Sequence, residues 1–271
     1  MSREKDTERE KPLSPELYTH EYFTTDCEGY DLFVQGSAEI SERIKGVLEA
    51  AGDLSGKRVL DVGCGRGELT CAAASYGAQA VGVDYSAAAI ELSQQRLLVL
   101  PEKIRKKVEF FRVDAKDISF PDASFDVIFM IDVYEHLHDY EIQEVLRKTK
   151  GFLRDGGVLI IHTGPNTWFY SYGYPIVRAV FKYILRRSLP ETLRGPYDSV
   201  MHVNEQNPIS LSRDLKNYFD ASVTPCFFGT EGRPLWKRAA MRVLFARPLG
   251  YVFCNTLLAK AKPSQRCLTP L

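Results

Sequence analysis

Residues 58–68 read R-V-L-D-V-G-C-G-R-G-E. Val59, Leu60 and Val62 make a short β-rich apolar run, the signature of a buried strand, and it leads into glycines at positions 63, 65 and 67. Glycine alone adopts positive φ without steric cost, so this is a tight turn. A helical pattern starts at once with Leu69, Ala72, Ala73 and Tyr76. Strand, turn and helix N-terminus form a cradle for a small ligand. The missing Cβ atoms admit the ligand to the backbone, and the first helical turn offers unpaired N–H groups. The spacing is G-x-G-x-G rather than the dinucleotide pattern G-x-G-x-x-G/A, with Glu68 in the place of the third small residue. Glu68 and Asp61 are poor neighbours for a pyrophosphate and suit a ligand that carries positive charge.

Downstream, residues 79–86 (Q-A-V-G-V-D-Y-S) read as a second buried strand ending at Asp84, with Ser86 capping a helix to about residue 99. An acid at the end of a second strand can accept both hydroxyls of a ribose, and Asp84 follows Asp61 at close to the ~20-residue spacing expected for it. Lys103, Arg105, Lys106 and Lys107 belong to a solvated connection. A third strand spans 108–113 and ends at Asp114, and a fourth, F-D-V-I-F-M-I at 125–131, is apolar on both faces. It is followed by Asp132-Val133-Tyr134-Glu135-His136-Leu137, a helix over 140–153, a Gly156-Gly157 turn and a fifth strand at 158–163. This alternation predicts an α/β fold with a Rossmann-like, doubly wound parallel sheet. Helices are expected at 174–187, 208–219 and 233–247, and further strands at 222–228 and 251–261.

Residues 59–67 resemble the first motif of class I S-adenosylmethionine (SAM)-dependent methyltransferases, an apolar strand and an acid followed by G-x-G-x-G. Residues 132–137 resemble the E-H-L/V segment of the methyltransferase group that contains ubiquinone-pathway and other small-molecule enzymes. The resemblance implies a seven-stranded sheet whose last strand is antiparallel, an α/β/α sandwich. It implies SAM as methyl donor and S-adenosylhomocysteine as product. Asp61, Gly63, Cys64, Gly65, Gly67, Asp84, Tyr85, Asp114, Ala115, Ile131 and Val133 would then line the donor site, with Asp114 receiving the adenine amino group and the Ala115 N–H meeting the ring. The aromatic segment with Tyr18, Tyr22, Phe23, Tyr30 and Phe33 is read as packed on the core or as a lid, with Tyr22 over the sulfonium.

The implied activity is methyl transfer to an oxygen, nitrogen or carbon of a small-molecule acceptor, preferably a glycan, lipid-linked or secondary-metabolite substrate. A protein or RNA methyltransferase and a non-catalytic SAM-binding scaffold are the alternatives. Aminopropyl transfer lacks the dense acidic cluster it would need. A hydroxyl acceptor requires a base within hydrogen-bond reach. His136, beyond strand four, and His202, after an insertion, are the candidates. His138 is expected to be exposed at a helix entry, His162 to be a core or strand-end residue, and His20 to lie in the lid.

The 271 residues carry 35 basic and 35 acidic side chains, which argues against broad attraction to nucleic acid. None of the six cysteines forms a C-x-x-C pair, so no metal site is expected, and the thiols read as reduced and cytosolic. Residues 1–15 read as a disordered tail, 16–57 as the lid segment, 58–262 as the catalytic domain with helical insertions near 165–205 and 232–248, and 263–271 as a second tail. The basic, amphipathic stretches 174–187 and 236–249 cover the acceptor pocket, form a dimer interface or touch an anionic membrane face. The expected location is cytoplasmic, with peripheral contact on the inner face of a membrane, as a monomer or homodimer.

Overall fold

The computed structural model describes residues 11–25, 40–228 and 234–264, the side chain of Ala240 excepted. Tyr30 and Phe33, as well as residues 1–10 and 265–271, lie outside it. Seven strands form one sheet: β1 (Arg58–Val62), β2 (Gln79–Asp84), β3 (Val108–Arg112), β4 (Phe125–Ile131), β5 (Leu153–Thr163), β6 (Phe219–Cys226) and β7 (Thr256–Pro263). Their order is β3-β2-β1-β4-β5-β7-β6. The first five pair in parallel, and β7 runs antiparallel to both β5 and β6. This is the expected topology, closing antiparallel strand included.

The eight helices of the description longer than one turn are α1 (His20–Thr25), α2 (Glu42–Ala51), α3 (Glu68–Ser75), α4 (Ala87–Leu98), α5 (Asp139–Phe152), α6 (Tyr174–Tyr183), α7 (Pro208–Leu215) and α8 (Leu235–Leu244). The central strands are apolar on both sides because both faces are covered. On one side Ile44, Val47 and Leu48 of α2 and Ala72 and Ala73 of α3 pack with Val59, Val127 and Phe129. On the other, Ile142, Val145 and Leu146 of α5 and Leu211 and Leu215 of α7 pack with Leu60, Ile128 and Met130.

Several boundaries differ from the sequence reading. Expected strand 251–261 is instead a one-turn helix, Gly250–Phe253, followed by β7. Periodicity does not separate strand from helix in so short an aromatic run. The turn is closed by the Phe253 N–H donating to the Leu249 carbonyl at 3.1 Å and the Cys254 N–H to the Gly250 carbonyl at 2.9 Å. The helix expected over 174–187 ends at Tyr183, and that over 208–219 at Leu215, with β6 beginning at Phe219 rather than 222. Strand β5 starts at Leu153, five residues early, and accommodates Gly156 and Gly157 through a register shift opposite Phe125 and Val127.

β1 and β4 are neighbours, while the chain visits β2 and β3 between them. The strand order reverses at this point, and in open α/β sheets the crevice beyond the carboxyl ends of the two strands is the ligand site.

Candidate active site

A cleft enclosing about 1200 Å³, its open mouth included, lies over that reversal. Its floor is the glycine turn. Gly63 and Gly65 have φ of +72° and +50°, which L-residues with a side chain rarely adopt. The Gly63 and Cys64 N–H groups donate to the Val83 carbonyl at 2.8 and 3.0 Å, fixing the turn to β2. A Cβ on Gly63 would lie 2.2 Å from Val133 Cγ2, so the segment after β4 closes directly on the turn.

One end of the cleft is acidic. Asp84 Oδ2 accepts from the Gly65 N–H at 3.0 Å and Oδ1 from the Ser86 N–H at 2.8 Å. Burial raises this carboxyl to about 6, against those hydrogen bonds, which favour the charged form. Burial also raises Asp61 to about 7, although Thr70 Oγ1 donates to it at 2.6 Å. Asp114 sits further along and accepts from both the backbone N–H and Nζ of Lys116, each at 2.9 Å. Lys116 Nζ in turn reaches Glu141 Oε1 at 2.5 Å.

The N-terminal segment forms the roof. Ser86 Oγ donates to the Tyr18 carbonyl at 2.8 Å, and Arg66 Nη1 to the Phe23 carbonyl at 2.5 Å. The Tyr18 ring meets Tyr22, Tyr85 and His136 edge-on, at centroid separations of 5.3, 5.3 and 5.7 Å. Leu13, inside the expected tail, also lines the cleft.

The far end carries Asp132, Arg43 and His136. Asp132 has φ +54°, a left-handed conformation uncommon for a non-glycine residue. Its carboxylate is held by an ion pair with Arg43 and a 2.5 Å hydrogen bond from His162 Nδ1. His136 Nδ1 lies 3.0 Å from the Met201 carbonyl. A carbonyl only accepts, so Nδ1 carries the proton and Nε2 keeps its lone pair. Burial first, and the charge of His202 second, lower His136 to about 3, so the ring is neutral. His202, with a ring centroid 5.0 Å away, behaves oppositely: burial disfavours its cation, but Glu205, Glu135 and Asp198 together raise it. Glu205 is held at about 2 despite burial, because it faces His202 and Arg194.

Of the residues expected at the site, Asp61, Gly63, Cys64, Gly65, Asp84, Tyr85, Asp114, Ala115, Ile131, Val133, Tyr22 and His136 all line the cleft. Gly67 does not. It is the left-handed N-cap of α3, and a Cβ there would lie 2.5 Å from Phe110 Cζ, so its role is packing. His202 is also off the wall and sits behind His136. His138 is buried rather than exposed, because it begins α5 and its Nε2 meets the Lys11 carbonyl at 3.1 Å. His162 is a buried strand-end residue, as expected. Arg43, Lys116 and Glu141 were not legible as site residues. Arg43 alone had a usable signal, a cation in the first turn of an otherwise apolar-faced helix, and that first turn lines the cleft.

Residues 59–157 match the family model of a methyltransferase domain. The chain is 33% identical over 167 residues to a ubiquinone biosynthesis O-methyltransferase of Bordetella bronchiseptica, covering 60% of this chain and 64% of that protein. It is 33% identical over 132 residues to the enzyme of the same name from Coxiella burnetii, covering 49% and 53%. The match thus spans between half and two-thirds of these relatives. Among solved structures, the Pyrococcus horikoshii protein PH0226 superposes with a TM-score of 0.56 at 17% identity, over 93% of this chain and all of that one. Geranyl diphosphate C-methyltransferase from Streptomyces coelicolor gives 0.56 at 17% identity, over 82% and 77%. Residues 59–157 thus carry a methyltransferase domain, and the sheet built around them has the order and the antiparallel closing strand that the resemblance to class I SAM-dependent methyltransferases implies.

Proposed function

We propose that the protein transfers the methyl group of SAM to a hydroxyl oxygen of a lipid-linked small molecule. Asp84 accepts both ribose hydroxyls, the Asp114–Ala115 edge receives adenine, and the glycine turn passes the methionine chain toward Arg43. The chemistry of the wall supports this order. SAM carries a ribose, a sulfonium, an ammonium and a carboxylate, and the cleft offers Asp84 and Asp114 at the ends of β2 and β3 and the Arg43 guanidinium beside Asp132 at the end of β4. Asp132 keeps Arg43 in place through their ion pair. Tyr18 and Tyr22 present aromatic rings to the same space, which favours a cationic sulfur.

The observation that carries the oxygen reading is His136. It lines the cleft, stays neutral and keeps Nε2 free while Nδ1 is fixed on Met201. Such a lone pair receives an acceptor O–H and orients its oxygen for in-line attack. In the transfer a lone pair of that oxygen forms the new C–O bond. The C–S bond breaks with its electrons going to sulfur, giving neutral S-adenosylhomocysteine, and the hydroxyl proton passes from the methylated oxygen to His136 Nε2 and on to solvent. The names of the relatives, O-methyltransferases of ubiquinone biosynthesis, fit an oxygen acceptor attached to a lipid.

The surface supports a lipid-linked acceptor. Residues 165–190 and 232–271 contain no Asp or Glu, although the whole chain is charge-balanced. On α6 and just beyond it, Ile176, Val180, Tyr183 and Ile184 are exposed beside Arg178, Lys182, Arg186 and Arg187. On α8, Leu235, Trp236 and Val243 are exposed beside Lys237 and Arg242. No helix among the described residues is long and apolar enough to cross a membrane. An apolar face with basic flanks instead suits an anionic bilayer surface. The test is incubation with trideuteromethyl-SAM and a panel of sugars, phenols, amines and isoprenoid-linked phenols, read by mass spectrometry. A labelled ether on the isoprenoid phenols is expected. Label on nitrogen, on carbon or on sugars alone would replace this reading.

A further inference from the structure

Aromatic packing is not all that holds the roof of the cleft. Side chains from the body of the domain also take its backbone carbonyls. His138 Nε2 lies 3.1 Å from the Lys11 carbonyl, Ser86 Oγ donates to the Tyr18 carbonyl at 2.8 Å, and Arg66 Nη1 donates to the Phe23 carbonyl at 2.5 Å. We propose that Arg66 is a positioning residue that latches the roof over the donor, so that its guanidinium sets how fast the spent donor leaves. The inference rests on the reading of the cleft as the SAM site and adds to it the step that ends a turnover.

The chain on both sides of Arg66 prepares it for this. It stands between Gly65 and Gly67, both at positive φ, and its side chain is turned inward with 3% exposure. A buried guanidinium needs acceptors for its donors. Nη2 finds Glu68 Oε2 at 3.1 Å, which fixes the direction of the planar fork, and Nη1 reaches Phe23. Glu68 is steadied from its other side by Arg96, whose Nη1 stands 4.0 Å from Oε1. On the roof, Phe23 belongs to the last turn of α1, where carbonyls have no intrahelical partner, so the guanidinium supplies one. The Phe23 ring lies close over the floor: a Cβ on Gly65 would be 3.6 Å from its Cε1.

Latch and donor site share a frame. Asp84 accepts from the Gly65 N–H, one residue before Arg66, and from the Ser86 N–H, whose own hydroxyl holds Tyr18. Two anchors of the roof therefore sit on the two loops that orient the ribose-binding carboxylate. Leu13, Tyr18, Tyr22 and Phe23 line the cleft together with Asp84 and Arg66, so a ligand that leaves past the roof must break these contacts. Ring contacts slide and re-form, whereas a charge-assisted hydrogen bond has one geometry and is about twice as strong as a neutral one. Arg66 thus outweighs the neutral Ser86 contact in the barrier to opening.

The experiment is surface plasmon resonance on the immobilised full chain with S-adenosylhomocysteine as the probe, which reads association and dissociation separately. Arg66→Met keeps the length of the side chain and removes every donor. It should raise the dissociation rate about tenfold or more, the loss expected of one charged hydrogen bond. Association should stay within about threefold, as Asp84 and the glycine turn are unaltered. Arg66→Lys, which keeps the charge and a donor, should dissociate more slowly than Arg66→Met. Hydrogen exchange adds a readout that general destabilisation would not give. Bound S-adenosylhomocysteine should slow the amides of residues 13–25 about tenfold in the wild type. Arg66→Met should lose that protection while the amides of β1 to β5 keep theirs. Unchanged dissociation in a folded Arg66→Met chain, or Arg66→Lys dissociating as fast as Arg66→Met, would overturn the inference. So would roof amides that the bound ligand leaves unprotected in the wild type, a result that needs no variant to fold. A wild-type chain that binds no S-adenosylhomocysteine would instead remove the SAM reading on which the latch rests.

Discussion

Replacing Asp84 by alanine tests the donor site at its most determined residue. The carboxylate is almost fully buried and held on both oxygens, by the Gly65 and Ser86 N–H groups at 3.0 and 2.8 Å. Its orientation is therefore fixed before a ligand arrives. Two ribose hydroxyls donating to a charged acceptor contribute about 1.5–3 kcal/mol each. Water replaces part of this in the variant, so the net loss is set at about 3 kcal/mol, or roughly 150-fold in Kd. The substitution also strands two backbone N–H groups, which costs about 1–3 kcal/mol of stability each if water does not reach them. Titration calorimetry with SAM and S-adenosylhomocysteine, paired with urea denaturation, separates the two effects. The variant should bind both ligands with equally reduced affinity, because the ribose is common to them. Glu91→Ala, at an exposed position whose carboxylate meets His20 and Gln95 and no residue of the cleft wall, is the control and should change neither Kd. A folded Asp84→Ala protein that binds SAM within threefold of the wild type would refute the assignment.

The same carboxyl sets a pH dependence. Its pKa is raised to about 6, so the charged, hydroxyl-accepting form prevails above pH 6 and is lost as pH falls through that value. SAM affinity should thus fall by up to about tenfold per pH unit below 6, while flat affinity from pH 7 to 5 contradicts it. Arg43→Ala should weaken SAM at least tenfold and leave adenosine, which has no carboxylate, unchanged; equal losses for the two ligands would remove Arg43 from the methionine end. Gly67→Ala forces a side chain to φ +75° and sets its Cβ 2.5 Å from Phe110 Cζ, so it should cost about 2–4 kcal/mol in urea unfolding. A cost under about 0.5 kcal/mol would show that the turn relaxes freely. Co-sedimentation with phosphatidylglycerol vesicles at low salt should capture the protein and Trp236→Glu should release it, whereas capture by neutral vesicles alone would rule out the basic, apolar patch.

Residues 58–68 and 125–131 disclosed the fold because their constraints are local. A strand apolar on both faces must be covered on both, and glycines on alternate residues have few uses other than a turn against a ligand. Asp84 and Asp114 were legible for the same reason, as acids that end apolar runs. What stayed hidden depends on tertiary partners. Arg43 is one polar residue on an amphipathic helix until Asp132 folds against it. Lys116 and Glu141 meet only when α5 packs beside the end of β3. Gly67 looked equivalent to Gly63 and Gly65, yet its neighbour is Phe110 on β3. His202 shared the histidine candidacy with His136, and only the Glu135 contacts to Val203 and Asn204 place it behind that ring. The aromatic run at 251–253 had no periodicity long enough to choose between strand and helix.

The most direct test of the donor assignment is calorimetric titration of the wild-type chain at pH 7.5 with SAM and, in parallel, with NAD⁺. The acidic glycine turn and the buried carboxylates predict saturable binding of one SAM per chain, displaced by S-adenosylhomocysteine, with no heat from NAD⁺. Absence of SAM binding, or tighter binding of NAD⁺, would contradict it.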